Sequence, residues 1–202
     1  MAEEPAKFEN CLVMVLMSSS VLRLLDKGTI SPKQLAIFIR DQQQYISAPF
    51  KHLASVGLSF DFNFVQAVWR VDRDPTSQIA EALGTFVIAS KNTEAFGGRV
   101  VEAGVPSATL HAGLDIGHVL IAGSRTLGEV ITSAVAFAEE AVRRNSPVIM
   151  SRELYERVRN KHKKPLATYA MEVKGTVRRN REIVSLSLND AEYLGEWEHD
   201  GR

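Results

Sequence analysis

Residues 56–71, VGLSFDFNFVQAVWRV, alternate side chains as a half-buried strand does, but they change phase midway. Leu58, Phe60, Phe62 and Phe64 share one phase, whereas Val65, Ala67, Trp69 and Val71 share the other. Side chains of a strand repeat every two residues, so a change of phase demands a turn or a bulge. The stretch reads as a tight hairpin bending near Asn63. Two other stretches follow the same logic. ATLHAGLDIGHVLIAG (108–123) reads as two strands joined near Ile116-Gly117, and LATYAMEVKG (166–175) with REIVSLSL (181–188) as a closing hairpin. Strands that come in pairs build a mostly antiparallel sheet.

Helices fill the intervals. In TISPKQLAIFIRDQQQYISAPFKHLA (29–54), Ser31 caps a helix with Pro32 in its first turn, and Pro49 bends or breaks it. A second helix follows Asp74-Pro75, with Ile79, Leu83, Phe86, Val87 and Ser90 on one stripe. It gives way to a loop, FGGRVVEAGVPS (96–107), rich in glycine. EVITSAVAFAEEAVRRN (129–145) is a helix burying Ile131, Ala134, Val135, Ala138, Ala141 and Val142. SPVIMS (146–151) is a short strand, and Ser151 caps the helix of SRELYERVRNKH (151–162). With the apolar run Leu12 to Met17 as the first strand, the order is β-α-ββ-α-ββ-α-β-α-ββ. The fold class is α+β, a mostly antiparallel central sheet flanked by helices. Residues 1–10 read as a polar leader, 11–188 as one domain, and 189–202 as an acidic, flexible tail.

Composition narrows the functional classes. The chain has 202 residues, 24 Lys plus Arg against 24 Asp plus Glu, and a formal net charge of zero. Nothing in the global charge argues for a nucleic-acid or membrane-surface protein. A single cysteine, Cys11, excludes an internal disulfide and a Cys-rich zinc site, and its apolar setting makes it a small buried hydrophobe. No apolar run reaches the roughly 18 residues that span a bilayer, and MAEEPAK is no signal peptide, so the expected location is cytoplasmic.

Three stretches together resemble the catalytic domain of class III adenylate/guanylate cyclases, a ferredoxin-like fold. HAGLDIGHVLIAG matches that family's Gly-Ile-His-Thr-Gly-Pro-Val strand pair at Gly113, Leu114, Gly117 and Val119. SPVIMSRELYERV is similar to its Ser-x-x-x-Tyr strand and helix, with Ser151 and Tyr155 in register. EVKGTVRRNREIVSLSL is similar to its closing hairpin through Lys174 and Gly175. The likeness runs from about Leu12 to Leu188.

What the resemblance implies chemically is a set of absences. Family members hold two divalent cations on two aspartates, orient ribose and transition-state charge with an Asn, an Arg and a Lys, and form the site across a head-to-tail dimer. Here the first aspartate falls on Ser18, in LVMVLMSSSVLRLL (12–25), and the second on Asn63, counting back from Trp69. The turn glycine becomes Phe62, and the base-reading Lys becomes Ser59. The Asn and Arg fall on Thr132 and Ala136 in one register, or on Ala134 and Ala138 in a shifted one. The second base-reading position lies near Arg125, and the closing Lys becomes Thr176. Neither Ser nor Asn offsets a dication. Losing one preorganised electrostatic group typically costs about 10²–10³ in rate. The resemblance therefore implies a fold without the chemistry: no catalytic, cofactor-binding or metal residues, no cofactor, and a homodimer acting as a signalling or assembly module. A protein partner in signalling and a weakly held nucleotide stay open as partners, as does residual cyclase activity.

The other chemistry-bearing residues read blandly. Asp61 becomes a metal ligand only if the alignment slips, and Asp115 reads as a turn cap at a strand end. His52, His111, His118, His162 and His199 lack metal-ligand spacing. Ser18, Ser19 and Ser20 have no nucleophile elbow around them. RVRNKHKKP (157–165) reads as a solvated helix end, RRNR (178–181) as a hairpin turn, and GSRTLGEV (123–130) as a turn before a helix. Leu, Val and Trp side chains on the β-face offer a dimer surface.

Overall fold

The computed structural model describes residues 7–19, 31–53, 56–101, 109–122, 125–158, 168–173 and 179–196. In chain order the elements are β1 (Lys7–Ser18), α1 (Pro32–Ser47), a 3₁₀ turn (Ala48–His52), β2 (Val56–Phe60), β3 (Phe64–Arg70), α2 (Thr76–Val101), β4 (Leu110–Ala122) and β5 (Arg125–Leu127). There follow α3 (Glu129–Arg144), β6 (Val148–Ser151), α4 (Arg152–Val158), β7 (Thr168–Val173), β8 (Arg179–Leu186) and α5 (Leu188–Glu196). The sheet order is β2-β3-β1-β4-β6-β8-β7, with β5 on β4. Only the β4–β6 pair is parallel among the described pairings. This is the α+β, mostly antiparallel arrangement expected from the paired strands.

β1 lies near the centre, paired with β3 on one side and β4 on the other. Its even residues Leu12, Met14 and Leu16 pack with Ile79, Leu83 and Phe86 of α2. Its odd residues Cys11, Val13, Val15 and Met17 pack with Val130, Ala134 and Ala138 of α3. A strand covered on both faces has no solvent side, which is why its sequence is a continuous apolar run and not an alternating one. Each such aliphatic side chain contributes about 1.5–3 kcal/mol by burial. Burial also pushes the Cys11 thiol up to about 11, with Glu9 adding to the effect, so it stays protonated and inert at neutral pH.

The α1 start is a capping box: the Ser31 hydroxyl accepts from the Gln34 N–H at 3.3 Å, and Gln34 Oε1 accepts from the Ser31 N–H at 3.1 Å. Pro49 cannot continue the helix, and the chain tightens into the 3₁₀ turn that delivers Phe50 onto Trp69, ring centroids 6.0 Å apart. The 56–71 hairpin forms as read, with Val56↔Trp69 through Phe60↔Val65 in register and its bend at 61–63.

Four expectations need correction. First, Gly117 is no turn, because β4 is one strand of 13 residues. It pairs with β1 along its length, from Lys7↔Ile121 to Ser18↔Leu110, and Gly117 lies opposite Cys11. Second, α2 continues through Phe96-Gly97-Gly98 to Val101, where a loop was expected. Phe96 stacks on Phe38 and Tyr45 of α1, at 5.6 and 4.8 Å, and this packing outweighs the roughly 1 kcal/mol that each helical glycine costs. Residues 102–107 of that loop lie outside the described residues. Third, residues 7–10 of the leader belong to β1, which begins at Lys7. Fourth, the tail opens as a helix. The Ser187 hydroxyl accepts from the Asp190 N–H at 3.2 Å, and Asp190 accepts from the Ser187 N–H at 2.9 Å, a capping signal present in SLND.

That helix is docked. Ala191 and Leu194 are buried, and Gly195 of α5 meets Gly84 of α2 backbone to backbone. A Cβ on Gly195 would sit 2.5 Å from the Gly84 nitrogen and 2.6 Å from its Cα, but a Cβ on Gly84 would meet Gly195 at an ordinary 3.5 Å. Gly195→Ala is therefore expected to undock α5, and Gly84→Ala is not. Limited proteolysis checks this: the first variant should lose residues after Ser187 faster than the wild type, and equal rates for both variants would refute the packing.

Candidate functional site

The end of β1 and the tip of the β2–β3 hairpin meet under α1. The last β1–β3 pair is Met17↔Phe64, and the next residue on each side, Ser18 and Asn63, lines the same cleft. The two positions that the resemblance assigns to metal-binding aspartates thus lie together, and both side chains are neutral. Ser18 is 2 % exposed, and its Oγ accepts from Gln42 Nε2 of α1 at 2.7 Å. Ser19 Oγ and Thr109 Oγ1 share a hydrogen bond of 2.6 Å. Ser20 lies outside the described residues.

A shallow cleft of about 220 Å³, open mouth included, lies here, lined by Ser18, Gln42, Gln43, Asn63 and the apolar Leu16 and Phe64. Its enclosed part is far smaller than the roughly 300–1,000 Å³ of common small-molecule pockets. Gln42 lies one turn from Phe38 and Ile46 on the buried stripe of α1, which carries it over Ser18. Gln43 Nε2 donates to the Asp61 backbone carbonyl and ties the helix to the hairpin tip. The Asp61 Oδ1 accepts from the Phe62 N–H at 2.6 Å, and Asp61 is not among the residues that line the cleft. Asp61 serves the turn. Among the described residues no group of three or more His, Cys, Asp or Glu side chains could hold a metal ion.

The remaining mapped positions scatter by environment. Ser59 is half-buried on β2, opposite Gln66. On α3, Thr132 is exposed and Ala136 half-buried, whereas Ala134 and Ala138 are fully buried against Gly113 of β4. Only the Thr132/Ala136 register could present side chains to a ligand. Arg125 belongs to β5. Lys174, Gly175 and Thr176 lie outside the described residues. Ser151 caps α4, its Oγ accepting from the Leu154 N–H at 3.4 Å, and Tyr155 is buried.

Two residues depart from their sequence reading. Asp115 is not a turn cap: it is fully buried in mid-β4, and Arg181 Nη2 donates to its Oδ1 at 2.8 Å. RRNR is not wholly a turn, since Arg179 to Arg181 open β8. Burial pushes the Asp115 carboxyl up from its ordinary value, and Arg181, the Ser151 hydroxyl and the Ile116 N–H only partly pull it back. Gln42 could have been noticed as a polar residue on an apolar stripe. The Asp115–Arg181 pair joins residues 66 apart and leaves no local signal.

His111 is a core histidine whose Nδ1 donates to the Ser146 carbonyl at 2.8 Å, while His52 and His118 are exposed. His162 and His199 lie outside the described residues, as do 159–165 of the basic run; Arg157 pairs with Glu153 at 3.3 Å. Trp69, expected at a dimer surface, is fully buried. The half-exposed aromatics beside the cleft are Phe60 and Phe62. No described helix is long and apolar enough to cross a membrane.

No protein-family profile matches the chain, and no curated protein does either. Solved structures do. The adenylyl cyclase CyaB from Pseudomonas aeruginosa superposes with a TM-score of 0.68 at 13% identity, over 90% of this chain and 95% of that one. The non-canonical dimeric guanylyl cyclase domain of a rhodopsin fusion protein from the fungus Blastocladiella emersonii gives 0.60 at 15%, over 90% and 97%. A class III adenylyl cyclase-like ATP-binding protein from Pseudomonas aeruginosa gives 0.60 at 14%, over 76% of this chain and 35% of that one. The chain has the fold of adenylyl and guanylyl cyclase catalytic domains.

Proposed function

We propose that the chain is a cyclase-fold module that performs no cyclisation and serves signalling through association, as a homodimer or with a protein partner. One observation supports this reading: Ser18 and Asn63, the positions that the family resemblance assigns to two carboxylates, line one cleft, and Gln42 donates to the Ser18 hydroxyl. Among the described residues that line the cleft, a dication would meet no anionic oxygen to replace part of its hydration shell. Thr132 and Ala136 add no group that could stabilise charge on a transferring phosphoryl group. The half-exposed Phe60 and Phe62 beside the cleft suit a contact surface.

A second reading keeps a ligand without turnover, favoured by the similarity to a cyclase-like protein described as ATP-binding. The two part in one experiment. Purified protein with ATP or GTP and Mg²⁺ or Mn²⁺ is expected to yield no cyclic nucleotide. Calorimetry with the same nucleotides is expected to be silent with or without metal. Metal-independent binding would select the second reading. Cyclic nucleotide production would sink both, and sedimentation as a monomer at high concentration would remove the homodimer.

A further inference from the structure

The strand β6 lies between β4 and β8 but is only four residues long. Leu114 pairs with Met150, Ser151 pairs with Ile183, and the chain then leaves the sheet as α4. Beyond Ser151 no strand fills the interval among the described residues, yet β4 runs on to Ala122 and β8 begins at Arg179. Asp115 and Arg181 face each other across that interval. Among the described residues β7 is the outermost strand and pairs only with β8. Val173 and Met171 rest on the Phe137–Ala141 side of α3; the Arg181 guanidinium ties the hairpin to β4, and an exposed Arg152–Glu182 pair at 2.9 Å ties it to α4.

We propose that the Asp115–Arg181 ion pair is a latch that holds the end of the β7–β8 hairpin to the central sheet, and that removing the charge on Asp115 releases it. A buried carboxylate without a partner is strongly disfavoured, so a charged Asp115 demands Arg181. A neutral Asp115 makes no such demand. Arg181, a quarter exposed, then gains water at little cost. Asp115 itself is fixed by the pairing of β4 with β1, where it lies opposite Val13, and stays in the sheet whether the hairpin is closed or open.

The other groups bearing on Asp115 are few. Glu153 of α4 disfavours its charge, the Ser151 hydroxyl of β6 and the Ile116 N–H favour it, and α3 presents Val130 and Ala134 to the flanking glycines of β4. Loss of Arg181 drives the carboxyl further upward, so the open hairpin binds the proton more tightly than the closed one. By linkage, acid favours opening. Against the unfolded chain the sign is reversed. There the raised folded-state value means that acidification adds to the stability contributed by Asp115. The latch therefore predicts local loosening without global loss.

The test is amide hydrogen exchange on the full chain, corrected for intrinsic rates. Asp115→Asn, close in shape, should speed exchange at 169–173 and 179–183 by tenfold or more and leave the β1 amides within twofold. Arg181→Lys, too short for the same reach, should do likewise to a smaller degree. The wild type should show the same local speeding on acidification, and Asp115→Asn should not respond further. Unchanged hairpin amides, or equal acceleration of β1 and the hairpin, would overturn the latch.

Discussion

Gly113→Ala is expected to cost about 4 kcal/mol or more, which removes most of the stability of an ordinary domain. A Cβ at this position in mid-β4 would overlap the Ala134 carbonyl oxygen and the Ala138 nitrogen of α3, and lie 2.9 Å from the Phe137 carbonyl carbon. All three are backbone atoms, so no rotamer change relieves the overlap. The helix must lift, and with it go the contacts that cover Val13, Val15 and Met17. Urea unfolding monitored by circular dichroism measures the effect. A midpoint equal to that of the wild type would show that α3 does not lie where the structure puts it.

Arg181→Ala is expected to cost about 3–5 kcal/mol at neutral pH, because it leaves the Asp115 carboxylate buried and alone. The size follows from the penalty on the stranded charge more than from the worth of the pair. Asp115 already sits above its ordinary value with Arg181 present. Without Arg181 it rises further. A carboxyl raised in the folded state weighs against folding at any pH above its unfolded value, and that burden lifts as pH falls through the folded value. The variant should thus recover relative to the wild type on acidification. Placing it in an Asp115→Asn background should leave only a small residual cost. Chemical denaturation at neutral and mildly acidic pH, run as a double-mutant cycle, checks both points. A deficit independent of pH would mean that Arg181 matters only through packing.

Local pattern and tertiary demand contributed differently to what could be read in the sequence. The hairpin at 56–71 was legible because its phase change is a local event, and Ser31 and Ser151 were legible because caps are encoded within four residues. The two errors of extent share a cause. Gly117 and the Phe96-Gly97-Gly98 step resemble breaks, but one is held by β1 and the other by aromatic packing on α1, and both partners are remote in sequence. The start of α5 is different: SLND carried an ordinary cap signal that the acidic composition of the tail overshadowed. At the site, residue identities set against the family resemblance led to the expectation that the charged groups are missing. They did not reveal that Gln42 covers Ser18, since which helix closes over a strand end depends on the assembled layers.

The Ser18–Gln42 contact joins a hydroxyl to a carboxamide, and neither group titrates anywhere near neutral pH. The floor of that cleft therefore keeps one electrostatic character across the acidity and ionic strength a cell can offer. Against this pair an occupant is selected by contour and by matched donors and acceptors.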